Sequence, residues 1–375
     1  MHDDKSINLN TRDIRADDVD SRIVKTILRR VPASGSKFAV LELSTKAVKL
    51  LIGNDVDAIK ANVNDKNARF DFSNFLRVSD KVEAGKGLDA RNEMDMRYFS
   101  TRVLPSILRM KKIMLENDVD TVYTVATAAY RTAKNREEIL NFILDRARIN
   151  VRILTKEEES LATLFAYTFT SSCREQLLKS PYVVVIDQGG GSTEISVFKK
   201  VKDLVGSFST NLGTTALHNF FFRDSDRDTP IEQALRNSDR KTAERLKTFI
   251  KHMDEKMLVD DDMFCVGVGS AITHASGNGG TAKQHDKVLT SEFVAERIAR
   301  ADAAILGRVK TVGELDAALR TLGSHDRFDS ELTIRLGLPM LLSLMERYHM
   351  PEVHISGTGL WYGIYFQRLW NILDE

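Results

Sequence analysis

Two distant stretches of the chain carry one pattern. KFAVLELSTKAVKLLIG (Lys37–Gly53) and YVVVIDQGGGSTEISVFK (Tyr182–Lys199) each read as an apolar run, a polar or glycine-rich break, and a second apolar run. Short runs rich in valine, isoleucine and leucine are strand signals, and a short break between two of them closes an antiparallel hairpin. In the first stretch Ser44-Thr45-Lys46 forms the turn. A chain that restarts its opening pattern half-way along is constrained to a duplicated architecture.

The intervening segments fit the same repeat. ARFDFSNFLRVSDKVEA supplies a third strand, and a helix follows with Tyr98, Val103, Leu104, Ile107 and Leu108 on one face, continuing through Met114. DTVYTVAT reads as a buried strand, NREEILNFILDRA as a helix that Asn135 can cap, VRILT as a strand and KEEESLATLFAYTF as a helix. In the second half SFSTNLG gives the third strand, helices run from about Pro230 to Asp254, and MFCVGVGSAITHAS is a strand entering a small-residue turn and a helix. The final stretch is mostly helix, then EVHISGTGLWYGIYF, a short strand ending at a glycine turn. The order is β-β-β-α-β-α-β-α, twice.

At 375 residues, two domains are the natural division. With 54 basic and 53 acidic residues the net charge is +1, which gives no support to broad attraction for DNA or a membrane surface. Cys173 and Cys265 form no CxxC pair, which points to a reducing compartment, and the eight histidines show no zinc spacing. No apolar run approaches a membrane span, and the opening MHDDKSINLN is unlike a signal peptide; the expected location is the cytoplasm. Residues 1–36 stand apart as a charged N-terminal extension in which SRIVKTILRRVPASG can form one short amphipathic helix. The division expected is 1–36 for the extension, 37–170 for the first domain and 171–375 for the second.

The chemistry centres on VIDQGGGSTEI. Glycines at 189, 190 and 191 lose more backbone entropy on ordering than any other residue would, so the run calls for a reason. A bend without side chains lets backbone N–H groups close around phosphate oxygens, and Asp187 beside it can bind Mg²⁺, which favours carboxylates together with phosphate. A lone Gly-Gly-Gly is equally at home in an ordinary hairpin.

Taken with six further stretches, the loop resembles one family, the exopolyphosphatases and guanosine pentaphosphate phosphatases of the actin, sugar kinase and Hsp70 fold. ATAAYRTAKNREEIL is similar to its arginine-bearing helix entry, LTKEEESLATL to the segment with its catalytic glutamate, and VEAGKGLDA to the turn after its third strand. TNLGTTAL, VGVGSAITHAS and ISGTGLWYG resemble later motifs in the right order. The likeness runs from about Lys37 to Phe366. It implies two ribonuclease H-like α/β domains, each a mixed five-stranded sheet flanked by helices, with a cleft between them.

Residue by residue, the resemblance makes Glu159 the catalytic carboxylate that orients or deprotonates water, and Arg131 the arginine that grips phosphate. With an ordinary pKa, Glu159 would be a weak base and would act mainly by positioning. Glu157 and Glu158 read as a solvated helix start. Asp187 and Glu194, on opposite strands of the hairpin, and Glu42 would hold Mg²⁺ or Mn²⁺. Gly189, Gly190, Gly191, Ser192, Thr193, Thr127, Lys46, Gly213 and Gly269 would line the phosphate site. Ser192 and Thr193 could equally satisfy a turn, and Gly213 could equally be a turn glycine. A homodimer is also implied.

The first phosphate loop departs from the family. Glu42 stands for the usual aspartate, Ser44 for glycine, Thr45 for serine, Lys46 for asparagine and Ala47 for a second serine, while Lys49 keeps the basic position. Glu83 replaces a common arginine, Ser270-Ala271 a Gly-Thr, and Trp361-Tyr362 an Arg-Glu. These changes point to altered substrate choice or lowered activity. With the chain ending at Glu375, no additional helical domain of the long exopolyphosphatases is expected, which favours short polyphosphate or guanosine pentaphosphate as substrate. The competing readings are a catalytically silent sensor of the same ligands and an actin-like ATPase or sugar kinase.

Overall fold

The computed structural model describes residues 37–369 apart from 66–67, 86–87, 89–91, 202, 255–261, 278–280 and 322–326. The expected helix in the N-terminal extension, and most of the AGKGLDA turn, lie outside the described residues.

Both hairpins form as the patterns require. In the first half β1 (Phe38–Leu43) pairs antiparallel with β2 (Ala47–Gly53), and β2 with β3 (Phe75–Lys81). The chain then crosses through helix α1 (Leu104–Glu116) to β4 (Thr121–Ala126), parallel to β1, and after helices α2 (Ala128–Thr132) and α3 (Arg136–Ala147) reaches β5 (Arg152–Ile153). The sheet order is β3-β2-β1-β4-β5. Helix α4 (Lys156–Thr170) leads into the second half.

There β6 (Tyr182–Gln188), β7 (Thr193–Lys199) and β8 (Asp203–Thr210) repeat the meander. Helices α5 (Thr214–Arg223) and α6 (Ile231–Asp254) precede β9 (Met263–Gly269), which lies parallel to β6 as β4 does to β1. Then come α7 (Ser270–Ala275), β10 (Val288–Thr290), α8 (Ser291–Leu306), α9 (Arg327–Arg347), β11 (Glu352–Ile355) and α10 (Leu360–Leu369). The second sheet runs β10-β11-β9-β6-β7-β8, six strands where five were expected. The addition is β10, three residues antiparallel to the edge of β11, too short to show a period of its own. Without it the two sheets have one topology, two ribonuclease H-like domains of the actin-like fold.

Helix α4 explains how the halves join. LATLFAYTFT is apolar on every side, and a helix of that kind is buried all round. Ala162, Phe165, Ala166 and Phe169 pack with β1, β2 and α10, while Leu164 and Tyr167 pack with Val183, Val185, Phe264 and Val266 of the second sheet. Each sheet therefore uses one face of α4 as its core. Helix α10 belongs to the first of these cores: the Tyr365 ring stacks on Phe38 at 4.2 Å, and Tyr362 and Phe366 pack around Phe75. A boundary after residue 170 assigns this helix to the second half, but its apolar partners are in the first, because the chain crosses back after β11.

Candidate active site

The turn of each hairpin opens toward the other half. Lys46, from the first turn, extends across the gap so that its Nζ donates to Thr214 Oγ1 at 3.1 Å, at the start of α5. Its stem lies against Gly190, where a Cβ would come within 2.5 Å of Lys46 Cδ. Burial lowers the Lys46 pKa to about 8, against the opposing pull of Asp329.

The glycine loop is docked on α5 through its carbonyls. Thr214 N donates to Gly189 O at 2.9 Å, and Thr215 N and Ala216 N donate to Gly190 O at 2.8 and 3.1 Å. Gly213 caps this helix so close to the loop that a Cβ there would sit 2.6 Å from the Gly190 carbonyl, so no larger residue fits without moving backbone. At the other side Gly269 ends β9 in register with Gln188 at φ +111°, a conformation L side chains avoid. Among the described residues the amides of Gly190 and Gly191 have no backbone acceptor. The loop thus offers free N–H groups while its carbonyls are tied back, which suits an anion.

Two of the expected hydroxyl donors are otherwise engaged. Thr193 is fully buried and its Oγ1 donates to Leu212 O at 3.1 Å, so the phosphate role expected of it is replaced by one in the turn. Ser192 bonds the Glu194 carboxylate, which also accepts from Ser209 Oγ at 3.1 Å. Thr127, at the end of β4, is buried, and its amide donates to Leu43 O.

Arg131 and Glu159 come from different elements and meet. Arg131 is on the short α2, and its Nη1 donates to Glu159 Oε1 at 2.6 Å and to Leu154 O at 2.7 Å. Glu159 is fixed by the start of α4. Thr155 Oγ1 accepts from Glu158 N at 3.2 Å and Glu158 Oε2 accepts from Thr155 N at 2.9 Å, a capping box worth about 1 kcal/mol. Glu158 also pairs with Arg152, so it is a capping residue held in an ion pair and not a solvated one, whereas Glu157 is exposed. The Glu159 carboxyl is itself far from ordinary. Burial, opposed by Arg131 and reinforced by Glu194 and Asp187, raises its pKa to about 8. That corrects the expectation of a weak base.

Asp187 and Glu194 face each other directly across β6 and β7. Burial first and Glu194 second raise the Asp187 pKa to about 7, and burial also raises that of Glu194. Glu42 accepts from Lys49 Nζ at 2.8 Å, and its Oε2 is buried without a partner; both Glu42 and Lys49 act electrostatically on Asp187. Among the described residues no three His, Cys, Asp or Glu side chains gather into a metal cage. Of the three carboxylates expected to hold metal, Glu42 is paired with Lys49, whereas Asp187 and Glu194 have no ion pair among the described residues. Mg²⁺ commonly uses only one or two carboxylates together with substrate phosphates and water, so Asp187 and Glu194 alone fit it.

Three contributors were not among the expected site residues. Thr163 bonds Asp187 from one helical turn beyond Glu159, a spacing of four that already put it on the same face. Ser209 reaches Glu194 from the neighbouring strand, a cross-strand relation that depends on register. Trp361 stacks its ring 5.9 Å from Lys49 Nζ, a cation–π contact brought about by the return of α10.

A sequence model of the Ppx/GppA phosphatase family matches residues 62–371. The chain belongs to the Ppx/GppA phosphatase family. The match to the Ppx/GppA model begins after the first hairpin, the stretch that departs most in sequence. The fold is shared with the crystal structure of the Aquifex aeolicus Ppx/GppA family member, 20% identical, with a TM-score of 0.64 over 91% of this chain and 99% of that one. An exopolyphosphatase from Cytophaga hutchinsonii is 16% identical, with a TM-score of 0.65 over 89% and 98% of the two chains. An exopolyphosphatase-like protein is 17% identical, with a TM-score of 0.67 over 90% and 99%. Like these phosphatases, the chain is an α/β protein of two duplicated domains, and none of its described helices is long and apolar enough to cross a membrane.

Proposed function

We propose that this phosphatase releases the terminal phosphate of short inorganic polyphosphate or of guanosine pentaphosphate by in-line attack of water. The observation that carries the reading is the Arg131–Glu159 pair at 2.6 Å, with a carboxylate whose pKa is raised to about 8, beside the glycine loop. Glu159 Oε1 is held by Arg131, and Oε2, without a partner among the described residues, is available to water. As the water oxygen bonds to phosphorus and the bridging P–O bond breaks, Glu159 accepts the water proton and the shortened chain departs with the electron pair. Arg131 leaves the remaining N–H groups of its guanidinium for phosphate oxygens, and the amides of Gly190 and Gly191 receive further oxygens. Lys46 adds a positive charge beside them. Asp187 and Glu194 would hold Mg²⁺ or Mn²⁺, which when bound supplies charge neutralisation on the phosphate oxygens.

One observation favours the second reading, a weak or silent sensor of the same ligands. The Lys46 stem already fills the face of Gly190, and loop 1 closes on itself through Ser44 N to Ala47 O at 2.9 Å and Ala47 N to Ser44 Oγ at 3.1 Å. The test is phosphate release from tripolyphosphate, guanosine pentaphosphate and ATP with Mg²⁺. Release from either of the first two, and not from ATP, supports the hydrolase; tight binding of all three without release supports the sensor.

A further inference from the structure

On the second half, helices α8 and α9 line a half-open cavity of about 600 Å³ that contains none of the residues just described. That volume is in the range of small-molecule sites. Its wall on α8 is a stripe: Phe293, Arg297 and Arg300 recur at helical spacing, and Arg308 follows just past the end of the helix. Phe328 and Glu331 of α9 face them. Arg297 is buried and paired with Glu331 at 2.8 Å. Arg300 and Arg308 have no ion pair among the described residues; each guanidinium instead lies over a ring, Arg300 over Phe293 at 5.6 Å and Arg308 over Phe328 at 4.8 Å.

The arrangement is a specific one. Three guanidiniums share one cavity with a single carboxylate, so the lining is cationic. The ring contacts hold the two unpaired guanidiniums near fixed positions, which reduces the ordering cost of a bidentate contact. Arg297 and Arg300 on the helix and Arg308 past its end place more than one guanidinium along the cavity, which suits several anionic groups better than one carboxylate. The cavity also meets the far end of α7, which starts at Gly269 against Gln188.

We propose that this cavity is a second anion site, separate from the catalytic cleft, that binds a phosphate-rich ligand through Arg300 and Arg308. Free oligophosphate and the phosphates of a nucleotide share this chemistry. The site does not depend on turnover in the cleft.

The test is calorimetric titration of the full chain with tripolyphosphate at low salt. Two classes of site are expected. Arg300→Ala with Arg308→Ala should weaken one class about tenfold or more and leave the other, and the rate of phosphate release, as they are. Both side chains are exposed, so the double variant should fold, and Arg300→Lys with Arg308→Lys should restore only part of the binding, because it keeps charge but not the planar fork. If the arginine-dependent class prefers tripolyphosphate to guanosine triphosphate, the ligand is free oligophosphate; the reverse order makes it a nucleotide, and either supports the site. A single class of sites that ignores the double variant overturns the proposal, as does equal binding of unphosphorylated guanosine. Failure of every protein to release phosphate would defeat the catalytic reading and leave this titration unaffected.

Discussion

The two hairpins occupy equivalent places in their sheets and carry opposite electrostatics. In the first, Glu42 lies directly across from Lys49, and the two pair at 2.8 Å. In the second, the equivalent positions hold Asp187 and Glu194, two acids facing each other. Burial alone would lower the Lys49 pKa, yet the Glu42 carboxylate holds it above its usual range, while the pKa values of Asp187 and Glu194 rise. The backbones of the turns are alike: loop 1 ties Thr45 O and Lys46 O back to Gly85 N at 3.1 Å and Val82 N at 2.8 Å and leaves the Thr45 and Lys46 amides without a backbone acceptor among the described residues, as loop 2 does through α5. The difference between the two units is thus in the side chains: an ion pair across the strands in one, and two facing acids in its copy.

The most severe way to break the comparison is to remove the base served by the second hairpin. Glu159→Gln should lower the turnover number by about 10²–10⁴ and leave ligand affinity within a few-fold, since shape is kept and only the acceptor of the water proton is lost. Unchanged turnover would take Glu159 out of the mechanism.

The pH dependence should be next in size. A base with a pKa near 8 is mostly protonated at lower pH, so kcat/KM should fall as pH drops below about 8, roughly tenfold per unit. Raising Mg²⁺ should move the inflection down, because a cation favours the carboxylate form. A flat profile between pH 6 and 8 would show that no group of this kind controls the reaction.

The hairpins should also respond with opposite signs in stability. Lys49→Met leaves Glu42 buried beside nothing positive and should cost about 2 kcal/mol, less than for a fully buried pair because Lys49 is partly exposed. Asp187 titrates the other way. Its folded pKa of about 7 lies above its ordinary value, so the folded state holds the proton longer than the unfolded chain does. Its contribution is fully present below the ordinary aspartate range and is lost as pH rises through about 7. Asp187→Asn should therefore flatten the loss of stability of the metal-free protein between about pH 4 and 8. Denaturant unfolding across that range checks both, and destabilisation by Asp187→Asn at pH 8 would refute the asymmetry.

How much of this was legible in the sequence depends on whether a feature is local. Both hairpins, the strands that follow them and helix α4 are legible as short apolar runs and periodic stretches, whereas Glu158 reads as simply solvated and its capping role does not show. The positions of Arg131, Glu159, Asp187 and Glu194 could be assigned by resemblance. Their burial could not, because it depends on which elements close over them, and burial is what raises the Glu159 pKa. Register was equally hidden: nothing in ELSTKAVK says that Glu42 will meet Lys49. LWYGIYF, read together with the final strand, is helix α10 packed on the first sheet, since a short apolar run says neither strand nor helix nor which of two sheets it will cover. The backbone role of Thr193 likewise needed the position of Leu212.

The smallest expected effect tests whether the first hairpin still serves the second. Lys46 crosses from loop 1 to loop 2, through Thr214 and along Gly190, while Thr45 Cγ2 comes near Gly191. If its charge contacts substrate phosphate, Lys46→Ala should weaken tripolyphosphate binding a few-fold, and more at low salt, since screening acts over about 10 Å at 0.1 M. With the pKa lowered to about 8, the wild-type advantage should also shrink as pH rises above that value, because the neutral amine no longer attracts the anion. If the side chain merely plugs the loop, the result reverses: Lys46→Ala opens the face of Gly190 and binding tightens. Ser44→Gly with Lys46→Asn separates the cases further. A rise in turnover in that double variant would make the natural protein a hydrolase restrained by its own first loop; no change in either variant would mean that loop 1 acts only as a scaffold and that the second hairpin, with Arg131 and Glu159, carries the chemistry alone.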